Sequence, residues 1–224
     1  MNQVHRIGQD ERMSTAAPSV HRALRACATV ATVVLLAGGC SGDSAKAAES
    51  KRLLTQHDVQ SIAGLEAMTG RDMAEAALSP NPDPRGPCGA KAPAIPLSGA
   101  TSRAFVDIEV SLVEFVVKNG PEQAAFLTAM LADQHDGCPS YVSTTNDGKA
   151  QKISQIKFIP MNGIGDRGIA WTNLVQVGAN AADGGLIAFE TDGRLFLLQV
   201  QSALPLRAET MSALAAAAFA RATN

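Results

Sequence analysis

From residue 53 onward the spacing of apolar positions switches between a helical period and a period of two. Leu53-Leu54 leads into Thr55-Gln56-His57-Asp58-Val59. Thr55 can cap a helix there, and Asp58 stands at the third position, where a capping box needs an acceptor. Leu54 can close over Val59 as a hydrophobic staple. Gly64 supplies a stop, and a second short helix is expected from Gly70 to Leu78. Between Ser79 and Pro96 the chain is dense in Pro and Gly, which bars both helix and central strand. Arg103 to Val117 is rich in β-branched and aromatic residues with partial alternation, and reads as one strand. Asn119-Gly120-Pro121 ends it, and Pro121 suits the first position of a helix. Phe126, Leu127, Met130 and Leu131 form that helix's apolar face, with an end expected near Gly137.

Period two dominates the second half. Tyr141 to Thr145 and Lys152 to Ile159 flank Asn146-Asp147-Gly148. Ile169 to Val177 places Ile169, Trp171, Val175 and Val177 on one face. Leu186 to Glu190 and Arg194 to Gln201 are joined through Asp192-Gly193, a strong two-residue hairpin signal. From Arg207 to Ala222, helical spacing returns with Met211, Leu214, Ala215, Ala218 and Phe219. The expected fold class is α+β: a mainly antiparallel sheet flanked by helices, in a single domain over residues 53–224.

The first forty residues follow other rules. Arg22 and Arg25 precede an uncharged stretch containing Val30-Ala31-Thr32-Val33-Val34-Leu35-Leu36. This is the layout of a signal peptide, and the apolar run is shorter than the roughly 20 residues a membrane-spanning helix needs. It ends in Leu36-Ala37-Gly38-Gly39-Cys40, which resembles the bacterial lipobox, with the usual Leu displaced by one position. The resemblance implies that the Cys40 thiol receives a diacylglycerol and that residues 1–39 are cleaved away. The chain would then sit at the outer face of the plasma membrane. Asp10 and Glu11 are out of place in a basic leader, and Met13 offers a second start. Residues 40–52, rich in Ser, Ala and charge, read as a lipidated flexible tether.

The compartment narrows the cysteine chemistry. Cys27 leaves with the leader and Cys40 carries lipid, so Cys88 and Cys138 remain as an even pair in an oxidising space. The expectation is a Cys88–Cys138 disulfide, with two free buried thiols as the alternative. No metal site is expected: no CxxC is present, and His135-Asp136-Gly137-Cys138 offers two ligands without an evident third and fourth. From Cys40 on, 15 Lys+Arg stand against 19 Asp+Glu with no basic cluster. That argues against nucleic acid as a partner.

Motifs for catalysis are sparse. Gly163-Ile164-Gly165-Asp166-Arg167-Gly168 spells G-x-G-x-x-G, but the dinucleotide fingerprint needs a helix after it. Here a strand follows, so the glycines read as a turn and no cofactor is implied. Asp166 and Arg167 could touch a ligand, though an exposed turn pair is the simpler reading. No G-x-S-x-G elbow occurs. His57, near a helix start, and His135, near a helix end, have no marked nucleophile or acid partner. Glu109 and Glu114 are five residues apart on the expected strand and read as surface charges.

Several features together resemble the extracellular sensor domain of the PknH-type mycobacterial Ser/Thr kinases and its free-standing lipoprotein relatives. They are the opening Leu53 to Val59 and the helix from Phe126 to Gln134 that leads into Cys138. Gly165-Asp166-Arg167-Gly168 running into Ile169-Ala170-Trp171, the strands around Asp192-Gly193, and the Ala-rich last helix complete the set. The kinase domain has two disulfides where one is possible here. The resemblance implies an antiparallel sheet with helices around a ligand-binding cleft, and carries over no catalytic residue. The expected function is therefore a non-enzymatic lipoprotein that binds a small ligand or an envelope protein. A cell-envelope enzyme, or a lipid-carrying or structural lipoprotein, is the alternative.

Overall fold

The computed structural model describes residues 43–73, 83–95, 97, 99–145 and 148–224. The leader, the alternative start at Met13 and Cys40 lie outside the described residues. So do Asn146 and Asp147 and part of the Pro-rich segment. Among the described residues, eight strands form one antiparallel sheet: β1 (Thr69–Met73), β2 (Thr101–Val106), β3 (Val110–Lys118), β4 (Tyr141–Thr144), β5 (Ala150–Ile159), β6 (Arg167–Val177), β7 (Asn180–Thr191) and β8 (Arg194–Ser202). Their order across the sheet is β1-β2-β3-β8-β7-β6-β5-β4. Two meanders thus meet where β3 pairs with β8, from Val110↔Ser202 to Lys118↔Arg194. Among the described residues, four helices accompany the strands: α1 (Asp43–Ser50), α2 (Gln56–Gln60), α3 (Pro121–Ala132) and α4 (Ala208–Thr223). The architecture is α+β, with more sheet than helix.

The two faces of the sheet carry separate cores. On one face, Val110, Leu112 and Val116 of β3, Phe196, Leu198 and Val200 of β8, and Ile187 and Phe189 of β7 meet α2 and α4. The cross-strand pair Phe189↔Phe196 stacks with ring centroids 5.0 Å apart, and Phe219 of α4 meets Phe189 edge-on at 6.1 Å. Such aromatic pairs add about 1 kcal/mol each beyond the area they bury. Met211, Leu214, Ala215 and Ala218 are buried on α4, as its spacing predicts; Ala222 joins them, while Phe219 is only partly buried. The helix lies so close that a Cβ on Gly185 would stand 2.7 Å from the Met211 methyl. The opposite face packs Leu195, Leu197, Ala188, Ile169 and Trp171 beneath Phe126, Leu127 and Met130 of α3. This helix carries the chain from central β3 to the far edge, where β4 begins the return meander.

Local signals account for much of this. Thr55 caps α2, with Asp58 N–H donating to Thr55 Oγ1 and Thr55 N–H donating to Asp58 Oδ2, the full capping box. Pro121 opens α3 as expected. Asp192 and Gly193, at φ of 52° and 67°, make the positive-φ turn that joins β7 to β8.

Other expectations fail for physical reasons. Residues 43–50 are not a free tether but helix α1, held by Arg194, whose Nε donates to Glu49 Oε2 at 2.7 Å and whose Nη2 donates to Oε1 at 2.8 Å. Arg52 reinforces the attachment by pairing with Asp192 at 2.8 Å. From Gly70 the chain is strand β1, not helix, because Thr69–Met73 pairs with β2 along its length; residues 74–78 lie outside the described set. The expected strand from Arg103 to Val117 is a hairpin. Asp107 Oδ1 accepts from the backbone N–H of both Glu109 and Val110 at 2.6 Å and folds the chain back. Helix α2 stops at Ser61, before Gly64, and α3 stops at Asp133, before Gly137. Strand β7 starts earlier than expected, at Asn180, since small residues there still pair with β6.

The G-x-G-x-x-G segment is a turn between two strands, as expected. Gly165 has φ of 70°, and a Cβ on it would fall 2.5 Å from the Glu190 carbonyl oxygen. Gly163 also has positive φ, but open space around it. Gly165→Ala is therefore expected to cost more stability than Gly163→Ala. The losses should be on the order of 2–3 kcal/mol against ~1 kcal/mol. Urea unfolding of both variants checks this, and equal midpoints would remove the packing argument.

Candidate functional site

The structure forms the expected Cys88–Cys138 disulfide, with Cα atoms 4.8 Å apart across 50 residues of sequence. The bridge sits at a corner where the Pro-rich loop meets the end of α3. Asp133, the C-cap of α3, accepts from Cys88 N–H at 2.8 Å and Ala90 N–H at 3.2 Å. The loop closes on itself through Gly86 N–H to the Ala90 carbonyl and Ala92 N–H to the Pro84 carbonyl. Tyr141, at the start of β4, donates its hydroxyl to the Gly86 carbonyl at 3.2 Å. Burial, with the neighbouring Asp133 carboxylate, pushes that phenol up to about 12.

Beside this corner lies a cleft of about 280 Å³ between the stretch leaving α3 and the β5–β6 connection. Gln134 stands on one side and Asn162 on the other. Phe158, Ile159, Pro160, Met161 and Ile169 are its apolar lining residues. The polar side chains that line it are thus two amides, which can donate and accept hydrogen bonds but do not exchange protons near neutral pH. The sequence reading did not single out Gln134 or Asn162. They come together only when α3 lies across the sheet, and no local spacing signals that.

The residues weighed for catalysis are scattered. His57 is exposed on α2, and His135 is exposed beyond the end of α3. Arg167 forms a bidentate pair with Glu190, with Nε to Oε2 at 2.6 Å and Nη2 to Oε1 at 3.1 Å. It also donates to Thr128 Oγ1 at 3.0 Å. Arg167 thereby ties the β5–β6 turn to β7 and α3, so the simple picture of an exposed turn pair fails for this residue. Asp166 is exposed.

Glu109 is exposed in the hairpin turn, but Glu114 is not a surface charge: it is fully buried among the side chains of the first core. It shares the inward face with Val110, Leu112 and Val116, in strict alternation. Its Oε2 accepts from Leu54 N–H at 2.7 Å, while Oε1 has no partner. Its ladder neighbour Arg103 donates through Nη1 to the Leu54 carbonyl at 2.7 Å. Both backbone groups of Leu54 are thus held by adjacent side chains of the sheet. Burial pushes the Glu114 carboxyl up to about 8, against the lowering effects of the Leu54 N–H and the Arg103 charge.

No protein-family model matches the chain, and no curated protein matches it either. Among the described residues, no helix is long and apolar enough to cross a membrane.

Proposed function

We propose that this chain is an extracytoplasmic lipoprotein, anchored at the outer face of the plasma membrane through Cys40. On this reading its α+β domain binds a neutral small ligand rather than transforming one. The observation that carries the binding role is the cleft beside α3, where the Gln134 and Asn162 amides stand among Phe158, Pro160, Met161 and Ile169 and the surface presented is more polar than apolar. Polar groups placed in a cleft fix the orientation of a ligand through hydrogen bonds. The leader and the Gly38-Gly39-Cys40 sequence support the anchor. The disulfide suits an oxidising compartment. Kinship with the sensor domain of the PknH-type kinases belongs to the same proposal and rests on element order.

Native mass spectrometry of the full-length protein, purified from its own host in detergent, tests the binding role. A small molecule should accompany the wild type and be lost from Asn162→Trp, which fills the cleft mouth. Equal retention by both would place the ligand elsewhere. An unliganded wild type would turn the reading toward a protein partner. The anchor has its own test: Cys40→Ala should move the protein out of the membrane fraction and abolish acylation, and continued acylation would defeat the assignment.

A further inference from the structure

The disulfide corner brings Cys88, distant in the sequence, to the local pair His135 and Cys138 and so completes a set of three potential ligands. One ligand atom from each of Cys88, His135 and Cys138 lies within 4.8 Å of the others. Both sulfurs also lie close to the His135 carbonyl oxygen, at 3.7 and 3.5 Å. We infer that reduction of the Cys88–Cys138 bridge converts this corner into a metal site for a soft divalent cation of the zinc class. Its ligands are Cys88, Cys138 and His135, and its fourth position is open to solvent.

Three arguments support it. The donor set is chemically apt, since two thiolates and one imidazole with an open fourth position form a known kind of zinc site. The size is right as well: with Zn–S bonds of about 2.3 Å, two sulfurs on one tetrahedral ion stand ~3.8 Å apart. Side-chain rotation at the two cysteines can open that gap without moving the backbone. Finally, the corner does not depend on the bridge alone. Asp133 holds the amides of Cys88 and Ala90, Tyr141 holds the Gly86 carbonyl, and Arg85 donates to the Gly89 carbonyl at 3.2 Å. These bonds keep the two cysteines adjacent once the covalent link is gone. His135 is exposed and Cys138 partly so, which gives an ion access.

The redox step balances simply. An external dithiol or phosphine supplies two electrons, and the disulfide takes up two protons to become two thiols. The dithiol is oxidised to its own disulfide, or the phosphine to its oxide with oxygen from water. Binding the cation then releases the two thiol protons. While the bridge stands, neither sulfur carries the thiolate charge that a soft cation needs.

The test uses the full-length protein, reduced with a phosphine and desalted, against the untreated protein. Native mass spectrometry with Zn²⁺ should show one ion per reduced chain and none per oxidised chain. Co²⁺ in place of zinc should give sulfur-to-cobalt charge-transfer bands in the reduced protein. His135→Ala should form the disulfide normally yet bind zinc more weakly by at least ~100-fold once reduced. That exceeds the usual effect of removing an outer-shell partner. Equal zinc binding by the oxidised protein, or unchanged affinity and cobalt spectrum in His135→Ala, would overturn the assignment. So would a reduced protein that binds no zinc, whether its far-ultraviolet circular dichroism is retained or lost, since the proposal requires a corner that survives reduction.

Discussion

Glu114→Gln is expected to stabilise the protein, and by more as the pH rises. The folded carboxyl titrates near 8, whereas the ordinary value is 4.5. Between those limits the folded chain keeps a proton that the unfolded chain has released. Folding stability therefore falls as the pH climbs through that window, and the full penalty of the buried charge is present above it. Each unit of separation is worth about 1.4 kcal/mol, so the total loss is on the order of a few kcal/mol. Glutamine keeps the shape and an oxygen for the Leu54 N–H but cannot ionise. Protonated glutamic acid already places a donor at an oxygen with no acceptor, so the amide adds little new cost at low pH. Urea unfolding of both proteins at about pH 5 and pH 9 gives the comparison. The difference between them should be small in acid and several-fold larger in base. Parallel pH profiles would mean that Glu114 is ionised in the folded protein at neutral pH.

Why the sequence hid Glu114 shows how far a linear reading reaches. A lone charge in a strand is usually taken as outward-facing. Yet Val110, Leu112, Glu114 and Val116 are spaced by two, and that register alone puts the carboxylate inside. The signal was present but masked by reading residues 103–117 as one strand. The hairpin there contains no Gly, Pro or Asn; it depends on the Asp107 carboxylate reaching two backbone amides, which pattern does not reveal. Strand β1 was missed for another reason. Thr69-Gly70-Arg71-Asp72-Met73 has no apolar period, and backbone pairing with β2 defines it. Helix α1 is positioned by an ion pair across 145 residues. By contrast, the α2 capping box, the Asp192-Gly193 turn, Pro121 and the α4 stripe are local devices, and each was legible. The same division applies to the candidate site. Two cysteines could be paired by counting, whereas Gln134, Asn162 and the approach of His135 to Cys88 required the path of α3 across the sheet.

Replacing both Cys88 and Cys138 by serine is expected to lower stability by ~4 kcal/mol, the chain-entropy value for a link across about 50 residues. For a domain of this size that corresponds to a fall in Tm of about 10 °C. The enclosed segment includes β2, β3 and α3, so freeing it enlarges the unfolded ensemble far more than it disturbs the folded corner. Asp133 and Tyr141 still grip the loop by hydrogen bonds. The far-ultraviolet spectrum of the double variant should therefore match the wild type at 25 °C even as its unfolding midpoint drops. Asp133→Ala removes the other restraint and also destabilises. It keeps the bridge but leaves the Cys88 and Ala90 amides without their acceptor, at a cost of about 1–3 kcal/mol. Combining all three changes should cost more than the sum of the parts, because each restraint covers for loss of the other at one corner. Calorimetry in the presence of a chelator, so that no metal replaces the bridge, measures all of these terms. A double serine variant that melts within 1 °C of the wild type would show that the corner is held by its hydrogen bonds alone, leaving the bridge to serve redox chemistry rather than stability.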